Sequence, residues 1–402
     1  MAVPMDYIAE TRATGRQVFP DLARAMALIG IALVNVGVFA WPAAKGGYAA
    51  GGLGTGIDQG AFFAVNALFL MKSYTLFSFM FGVGFAYQIA SAERAGASFA
   101  ARYWRRIAGL LAFAAINIAF LFQGDILFIY AVLGCLLFLF RKMGPRGLIR
   151  WAIAIYVVQV LVLAVISAFV WLGNTYAPED MAQASEEMAK SGLHALKAYG
   201  QGSFADTVSA RIAEWAEFVP MMFLFQGIGA MSFFLFGLAA VRLETISRPE
   251  APFWRTCRRI YLPVGLVGSA AGGWLVTTAE SMIDTEMMLG MTLIALFSPF
   301  SSAGYLGLIA KWAQARPGPV TAFFARGGTA SLTAYLLQNL LFTLVFYGFA
   351  LGFYAELGAA ACIAIALVVG LVSLAFTSLW RIPFRRGPLE ELLRRWTYLG
   401  SR

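Results

Sequence analysis

Few residues in this chain have both the chemistry and the surroundings to form a site. Lys72 and Asp125 carry opposite charges beside long apolar runs, where a pair would lower the desolvation penalty of each. Around them stand amides: Asn35, Asn117 and Gln123 at the ends of neighbouring runs, and Gln338 with Asn339 inside a later one. An amide can hold a substrate by hydrogen bonds but cannot accept a proton as imidazole does, which leaves Asp125 as the candidate catalytic base of the group. Two readings fit: residues that converge on one outward-facing cavity, or residues at headgroup level whose polar tips reach water. Arg24 lies three residues after Asp21 on one helix face and can pair with it locally. Arg326 precedes Ser331 and Thr333 at a helix start, a combination that suits a phosphate, although an arginine there is also what membrane topology alone demands.

Other catalytic patterns are missing. With His194 as the single histidine, an HExxH zinc site is excluded, and His194 itself reads as a solvated or packing residue. Cys135, Cys257 and Cys362 lack CxxC spacing and read as packing residues, so no metal is expected. Gly51, Gly52, Gly54 and Gly56 form a linker without the strand of a dinucleotide fingerprint or the Lys-Ser/Thr of a P-loop, and there is no GxSxG elbow.

The elements that must position these residues follow from composition. Of 402 residues, 60% are hydrophobic and 13% charged. Soluble domains carry about 25% charged residues, so a soluble enzyme is excluded. A helix needs about 20 apolar residues to cross a bilayer. Ten stretches meet or approach that length, near 19–41, 73–93, 104–122, 125–141, 147–173, 218–242, 256–279, 285–311, 329–353 and 357–380. Strands are not expected, since open sheet edges in lipid leave backbone groups unsatisfied. The expected fold is an all-α integral membrane protein of about ten transmembrane helices with both termini inside. Ile57 to Met71 is apolar but short, and reads as an interfacial or re-entrant helix after the first span. The leader before Ala25 carries Asp6, Glu10 and Asp21, which suits a retained first span better than a cleaved signal.

Charge supports that orientation. With ten spans and both ends inside, 25 of the 30 basic residues face the cytoplasm, among them Arg94, Arg102, Arg105, Arg106 and six arginines from Arg381 to Arg402. The outside keeps Lys45, Lys72, Lys190, Lys197 and Arg211. Acidic residues divide as 8 inside and 13 outside, so the formal +9 resolves into +17 and −8. The excess is a positive-inside signal, and nucleic acid is not an expected partner. Three segments follow: a transmembrane half over 1–173, an extracytoplasmic insertion over 174–217, and a transmembrane region over 218–402 ending in a basic tail. An amphipathic helix is expected over Glu179 to Tyr199, and the tail, with Trp396 and Tyr398, suits a helix at the cytoplasmic lipid interface. Gly268 and Gly272 have the small-xxx-small spacing of close helix packing.

Several of these stretches together resemble the YeiB-like family of bacterial multi-pass inner-membrane proteins: the run from Asp21 to Asn35, Lys72 to Gly84, and Gly124-Asp125 through Ala131. The last quarter resembles that family's C-terminal domain of unknown function, in Gly327 to Asn339 (GGTASLTAYLLQN) and in Gly387 to Glu390 leading to Trp396-Thr397-Tyr398. The family is similar to the transmembrane acyltransferase superfamily, which includes the acyltransferase-3 proteins and the heparan acetyltransferase. That resemblance implies a ten-helix core, a bacterial inner-membrane location, and acyl-CoA as the donor of an acyl group to an extracytoplasmic or lipidic acceptor. It implies Arg24 and Arg326 on the phosphates of acyl-CoA, with Asn35, Lys72 and Asp125 near the acceptor. Two histidine positions of acyltransferases fall on Asn35, after ten residues intervening from Arg24, and on Asn117, seven residues before Gly124.

The expected function is therefore acyl transfer by a membrane-embedded protein in contact with lipids. The alternative is a transporter or exporter of a small or lipidic solute, which needs no base and could use the midplane amides Gln338 and Asn339 as a neutral polar site. A third is a non-catalytic scaffold docking through its outer helix and basic tail.

Overall fold

The structure is a computed structural model that describes residues 17–42, 56–315 and 318–399. Most of the Gly-rich linker, the leader and, from the charge count, Arg12, Arg16, Lys45, Arg316 and Arg402 lie outside the described residues.

Among the described residues the chain is helical, without strands. The helices are α1 (Val18–Ala40), α2 (Gly56–Leu68), α3 (Lys72–Arg94), α4 (Phe99–Phe120), α5 (Ile126–Leu137), α6 (Pro145–Tyr176), α7 (Pro178–Ala195) and α8 (Phe204–Met222). They continue as α9 (Ile228–Arg242), α10 (Pro252–Thr256), α11 (Leu262–Thr278), α12 (Thr285–Gln314), α13 (Pro319–Gly328), α14 (Ser331–Phe346), α15 (Ala359–Trp380) and α16 (Pro388–Thr397). Single π turns join α8 to α9 over Phe223–Gly227 and α10 to α11 over Cys257–Tyr261.

Each of the ten apolar runs is helical over most of its length. Seven helical stretches are long and apolar enough to cross a membrane, or up to eight if α13 and α14, bent by 84° to each other, form one broken span. Three of the ten fall short on their own: α4 carries Arg102, Arg105 and Arg106 near its start, α5 has only 12 residues before the chain tightens, and α14 has 16 and reaches the length only with α13. The short apolar segment after the first span is α2, and it runs into α3 through a left-handed Met71 (φ 64°). The lipid-facing character is plain on α6, where Val157, Leu161, Val165 and Phe169 form an exposed stripe at four-residue spacing while Ala152, Tyr156, Gln159 and Leu163 are buried. On a helix of 32 residues such a stripe is what a membrane-embedded protein presents to lipid.

Glycines set the closest approaches. A Cβ on Gly82 of α3 would strike the carbonyl oxygen of Phe234 in α9, and one on Gly237 of α9 would strike that of Phe79 in α3. These reciprocal contacts bring the two backbones together as small residues do in membrane bundles. Gly272 and Gly290 play the same part between α11 and α12, where a Cβ added to either would lie 2.6 or 2.7 Å from the other's carbonyl oxygen, so the Gly268-Gly272 spacing is indeed packing.

The hydrophilic insertion folds as α7, as its composition predicts, and then as α8, which extends straight into the next apolar helix. Ser203 caps α8 in a reciprocal capping box with Asp206. His194 is exposed, and no group of three metal ligands forms among the described residues. The two ends of the bundle are fixed by hydrogen bonds. At one, the Gly348 amide donates to the Tyr199 carbonyl, Ala355 to Ala40, and Ala360 to the Asp58 carboxylate. At the other, α16 lies against α4, with Trp396 Nε1 donating to the Arg105 carbonyl at 2.8 Å.

Candidate functional site

The α16 end holds a cavity of about 660 Å³. Six arginines line it: Arg385, Arg386 and Arg394 are exposed at its mouth, Arg24 and Arg106 are half-buried and Arg381 is buried, with one acid, Glu390, among them. Its interior is aromatic and aliphatic, with Phe77, Phe81, Leu127, Tyr130 and Tyr335. The aromatic wall is braced: Phe81 stacks on Phe234 with centroids 4.4 Å apart, and Tyr130 Oη donates to the Tyr74 carbonyl at 3.0 Å and pairs with Ser78 Oγ at 2.7 Å.

Several arginines already have partners. Arg24 bonds Asp21 at 3.0 Å, the local pair their spacing predicts. Arg386 bonds Glu391 at 3.2 Å, and Arg381 donates to Thr329 Oγ1 and the Phe384 carbonyl. Hydrogen bonds from Arg395 and Arg386 hold the exposed Glu391 carboxyl below the usual glutamate range. Arg394 lies over the Tyr398 ring at 4.5 Å. Arg106 and Arg385 have no ion-pair partner among the described residues, and Nε of Arg106 is buried without a hydrogen bond. These two are the arginines best placed to meet an incoming anion.

Of the residues singled out from sequence, Arg24 lines this cavity and Arg326 does not. The α14 start, whose sequence suits a phosphate, has an occupant of its own. Glu390 Oε1 accepts from the amides of Leu332 (2.7 Å) and Thr333 (3.1 Å), and its Oε2 accepts from Thr333 Oγ1 (2.6 Å). The helix N-terminus, a natural anion site, is thus filled by the chain's own carboxylate.

Asp125 lies behind the cavity. Its Oδ1 accepts from Asn117 Nδ2 (2.9 Å), the Leu127 amide (3.1 Å) and Tyr335 Oη (3.2 Å), and its Oδ2 from the Phe128 amide (3.1 Å). The two amide bonds make it the N-cap of α5, a role carboxylates commonly fill. Asn339 Nδ2 extends the network to Asn117 Oδ1 at 3.1 Å. So Asp125, Asn117 and Asn339 converge, and Tyr335 joins them to the cavity.

The remaining residues sit elsewhere. No Lys72–Asp125 ion pair forms: Lys72 is buried and its Nζ reaches the Asn66 carbonyl at 3.4 Å. The physical reason is that α5 begins at Asp125, so backbone amides saturate the carboxylate locally. Asn35 is half-buried on α1 and takes no part in the network. Gln338 Nε2 donates to the Leu28 carbonyl at 3.3 Å, and Gln123 Nε2 approaches Glu214 at 3.4 Å.

Residues 240–400 match a family described as "Protein of unknown function (DUF418)". Over 396 residues the chain is 30% identical to "Uncharacterized protein YxaH" of Bacillus subtilis (strain 168), covering 94% of each protein. The chain belongs to the YeiB-like family. To "Uncharacterized protein YeiB" of Escherichia coli (strain K12) it is 25% identical over 397 residues, 95% of this chain and 96% of that one. No solved structure matches. Residues 240–400 supply Thr329, Ser331, Tyr335, Glu390 and the four arginines from Arg381 to Arg394 to the cavity, among others, while α1, α3, α4 and α5 supply the lining from the first half of the chain. The arginine ring is the part that sorting charges by topology hides, because the same residues satisfy the positive-inside pattern.

Proposed function

We propose that this YeiB-like protein crosses the bacterial inner membrane ten times with both termini in the cytoplasm, and takes an acyl-CoA from the cytoplasm for acyl transfer to a lipidic or extracytoplasmic acceptor. The observation that carries the reading is the cavity's polarity: arginines at the mouth and aromatic walls within match an anionic head joined to an apolar chain. Arg106 and Arg385 would meet the phosphates, with Arg24 beside them. An acceptor oxygen would attack the acyl carbon and the carbon–sulfur bond would break. The acceptor's proton would pass by Tyr335 and Asp125 towards the departing thiolate.

Two observations favour the transport reading as the second choice. Asp125 is engaged by four donors rather than free to act as a base, and α13 with α14 makes a broken helix at the cavity, as binding sites of transporters often have.

Purified protein in detergent should bind CoA with an affinity that falls with added salt, and Arg106→Gln with Arg385→Gln should weaken it at least tenfold, as expected for charge-assisted contacts. Incubation with radiolabelled acetyl-CoA and a lipid or glycan extract should give a labelled product. Absence of CoA binding sinks the donor assignment. Binding without product, together with solute flux in vesicles, replaces acyl transfer by transport.

A further inference from the structure

The end of the bundle opposite the arginine ring holds a second cationic group that nothing above explains. Arg211 of α8 is fully buried. Its Nη1 donates to the Ala119 carbonyl at 2.9 Å, while Nε and Nη2 have no partner. Those two nitrogens share one edge of the planar guanidinium, the edge that grips two oxygens of an oxyanion at once. The plane is held by Tyr347, whose ring centroid is 5.4 Å from the guanidinium carbon, and Tyr199 and Tyr354 pack on Tyr347 at 5.0 and 6.0 Å.

The neighbouring acid attracts it only at a distance. Glu214, one turn along α8, forms no ion pair with Arg211, and its Oε2 accepts instead from Tyr199 Oη (2.8 Å) and Gln123 Nε2 (3.4 Å). Gln123, itself buried, has its Oε1 without a partner. Buried guanidinium nitrogens left without a hydrogen-bond partner are unfavourable, and an orphaned acceptor adds to the cost. The cluster therefore offers a free two-donor edge for an anion together with a free acceptor and a carboxylate for a donor.

We propose that Arg211, Gln123 and Glu214 form a second binding site, for a phosphate ester that bears a neighbouring hydroxyl or ammonium group. Arg211 takes two phosphate oxygens; Gln123 Oε1 and Glu214 take the ligand's donor. Such an ester comes either as a phospholipid headgroup or as a soluble molecule. The site stands apart from the arginine-ringed cavity and does not depend on what that cavity binds.

The test uses the full chain in dodecyl maltoside, which contains no phosphate, with two probes: phosphatidylglycerol followed by native mass spectrometry, and glycerol phosphate followed by calorimetry. At least one should bind, about tenfold more weakly to Arg211→Gln and to an intermediate degree to Arg211→Lys, which keeps the charge but loses the fork. Arg248→Gln, at an exposed Arg248–Glu244 pair, should bind as the parent does. Should Arg211→Gln fail to fold, Gln123→Leu serves: it should weaken glycerol phosphate but not methyl phosphate, which has no donor for that oxygen. Binding of phosphatidylglycerol alone assigns a lipid headgroup, and binding of glycerol phosphate assigns a soluble ester. No binding of either probe, or binding that neither Arg211→Gln nor Gln123→Leu changes, overturns the proposal.

Discussion

Tyr335 donates its hydroxyl proton to Asp125 Oδ1 across 3.2 Å while its side chain lines the arginine-mouthed cavity. Tyr335 is the side chain that connects the cavity to the Asp125–Asn117–Asn339 network, beside the backbone amide of Leu127 on the same oxygen, and none of those three residues reaches the wall itself. The carboxylate is at once a helix cap and the hidden end of a polar path.

The two roles separate by mutation. Tyr335→Phe removes the connection but leaves Asp125 with Asn117 and two backbone amides, so stability should fall by only about 1 kcal/mol, with CoA binding retained and acyl transfer lowered at least tenfold. Asp125→Ala removes the cap and strands Asn117 Nδ2, which should cost about 2 kcal/mol or more. Thermal unfolding in detergent, with product assayed in parallel, checks both. Equal activity loss in the two variants at equal loss of stability would reduce Asp125 and Tyr335 to structural residues.

How much of this was legible in the sequence depends on whether a feature is local. The Asp21–Arg24 pair, the helix of the insertion and the close packing at Gly272 rest on spacings of three to a few residues, which helical periodicity fixes by itself. The convergence of Asn117, Asp125 and Asn339 was legible only as polar residues in apolar runs. Lys72 and Asp125 drew attention as a pair because opposite charges are rare there; their separation follows from the start of α5, which a one-dimensional reading places only to within a few residues. Glu390 reaching the α14 N-terminus joins residues 57 and 58 positions apart, and Arg211 reads in the sequence only as one of the outside basic residues, because it falls within the hydrophilic insertion.

The α3–α9 contact makes a sharp contrast between neighbouring glycines. Gly82→Leu must push apart two backbones, since even a Cβ would meet the Phe234 carbonyl, and the protein should be lost from the folded fraction on size-exclusion chromatography. Gly84→Ala, whose Cβ would find only Arg24 Nη2 at 4.0 Å, should express and elute as the parent does. Parent-like elution of Gly82→Leu would show that the two helices do not pack at this register.

The α16 helix is held to the bundle by Glu390 on the α14 amides and by Trp396 on Arg105, and it forms one wall of the cavity through Leu393, Arg394 and Thr397. Glu390→Ala should release it, seen as faster hydrogen exchange over residues 388–397 with the remaining helices unchanged. A pH dependence accompanies this. Because Arg395 and Arg386 hold the Glu391 carboxyl below its ordinary value of 4.5, the unfolded segment takes up a proton at higher pH than the docked helix does. The stabilisation from Glu391 is therefore fully present above the ordinary glutamate range and lost as pH falls through the lower value of the docked state. Protection of 388–397, that is exchange corrected for its own intrinsic pH dependence, should fall as the pH is lowered below about 4.5, and Glu391→Gln should remove most of that pH-sensitive part. The contribution is small because the pair is exposed, so the comparison belongs at low salt, where screening leaves it measurable. An exchange profile with the same pH dependence in Glu391→Gln as in the parent would assign the acid sensitivity of α16 to Glu390 instead.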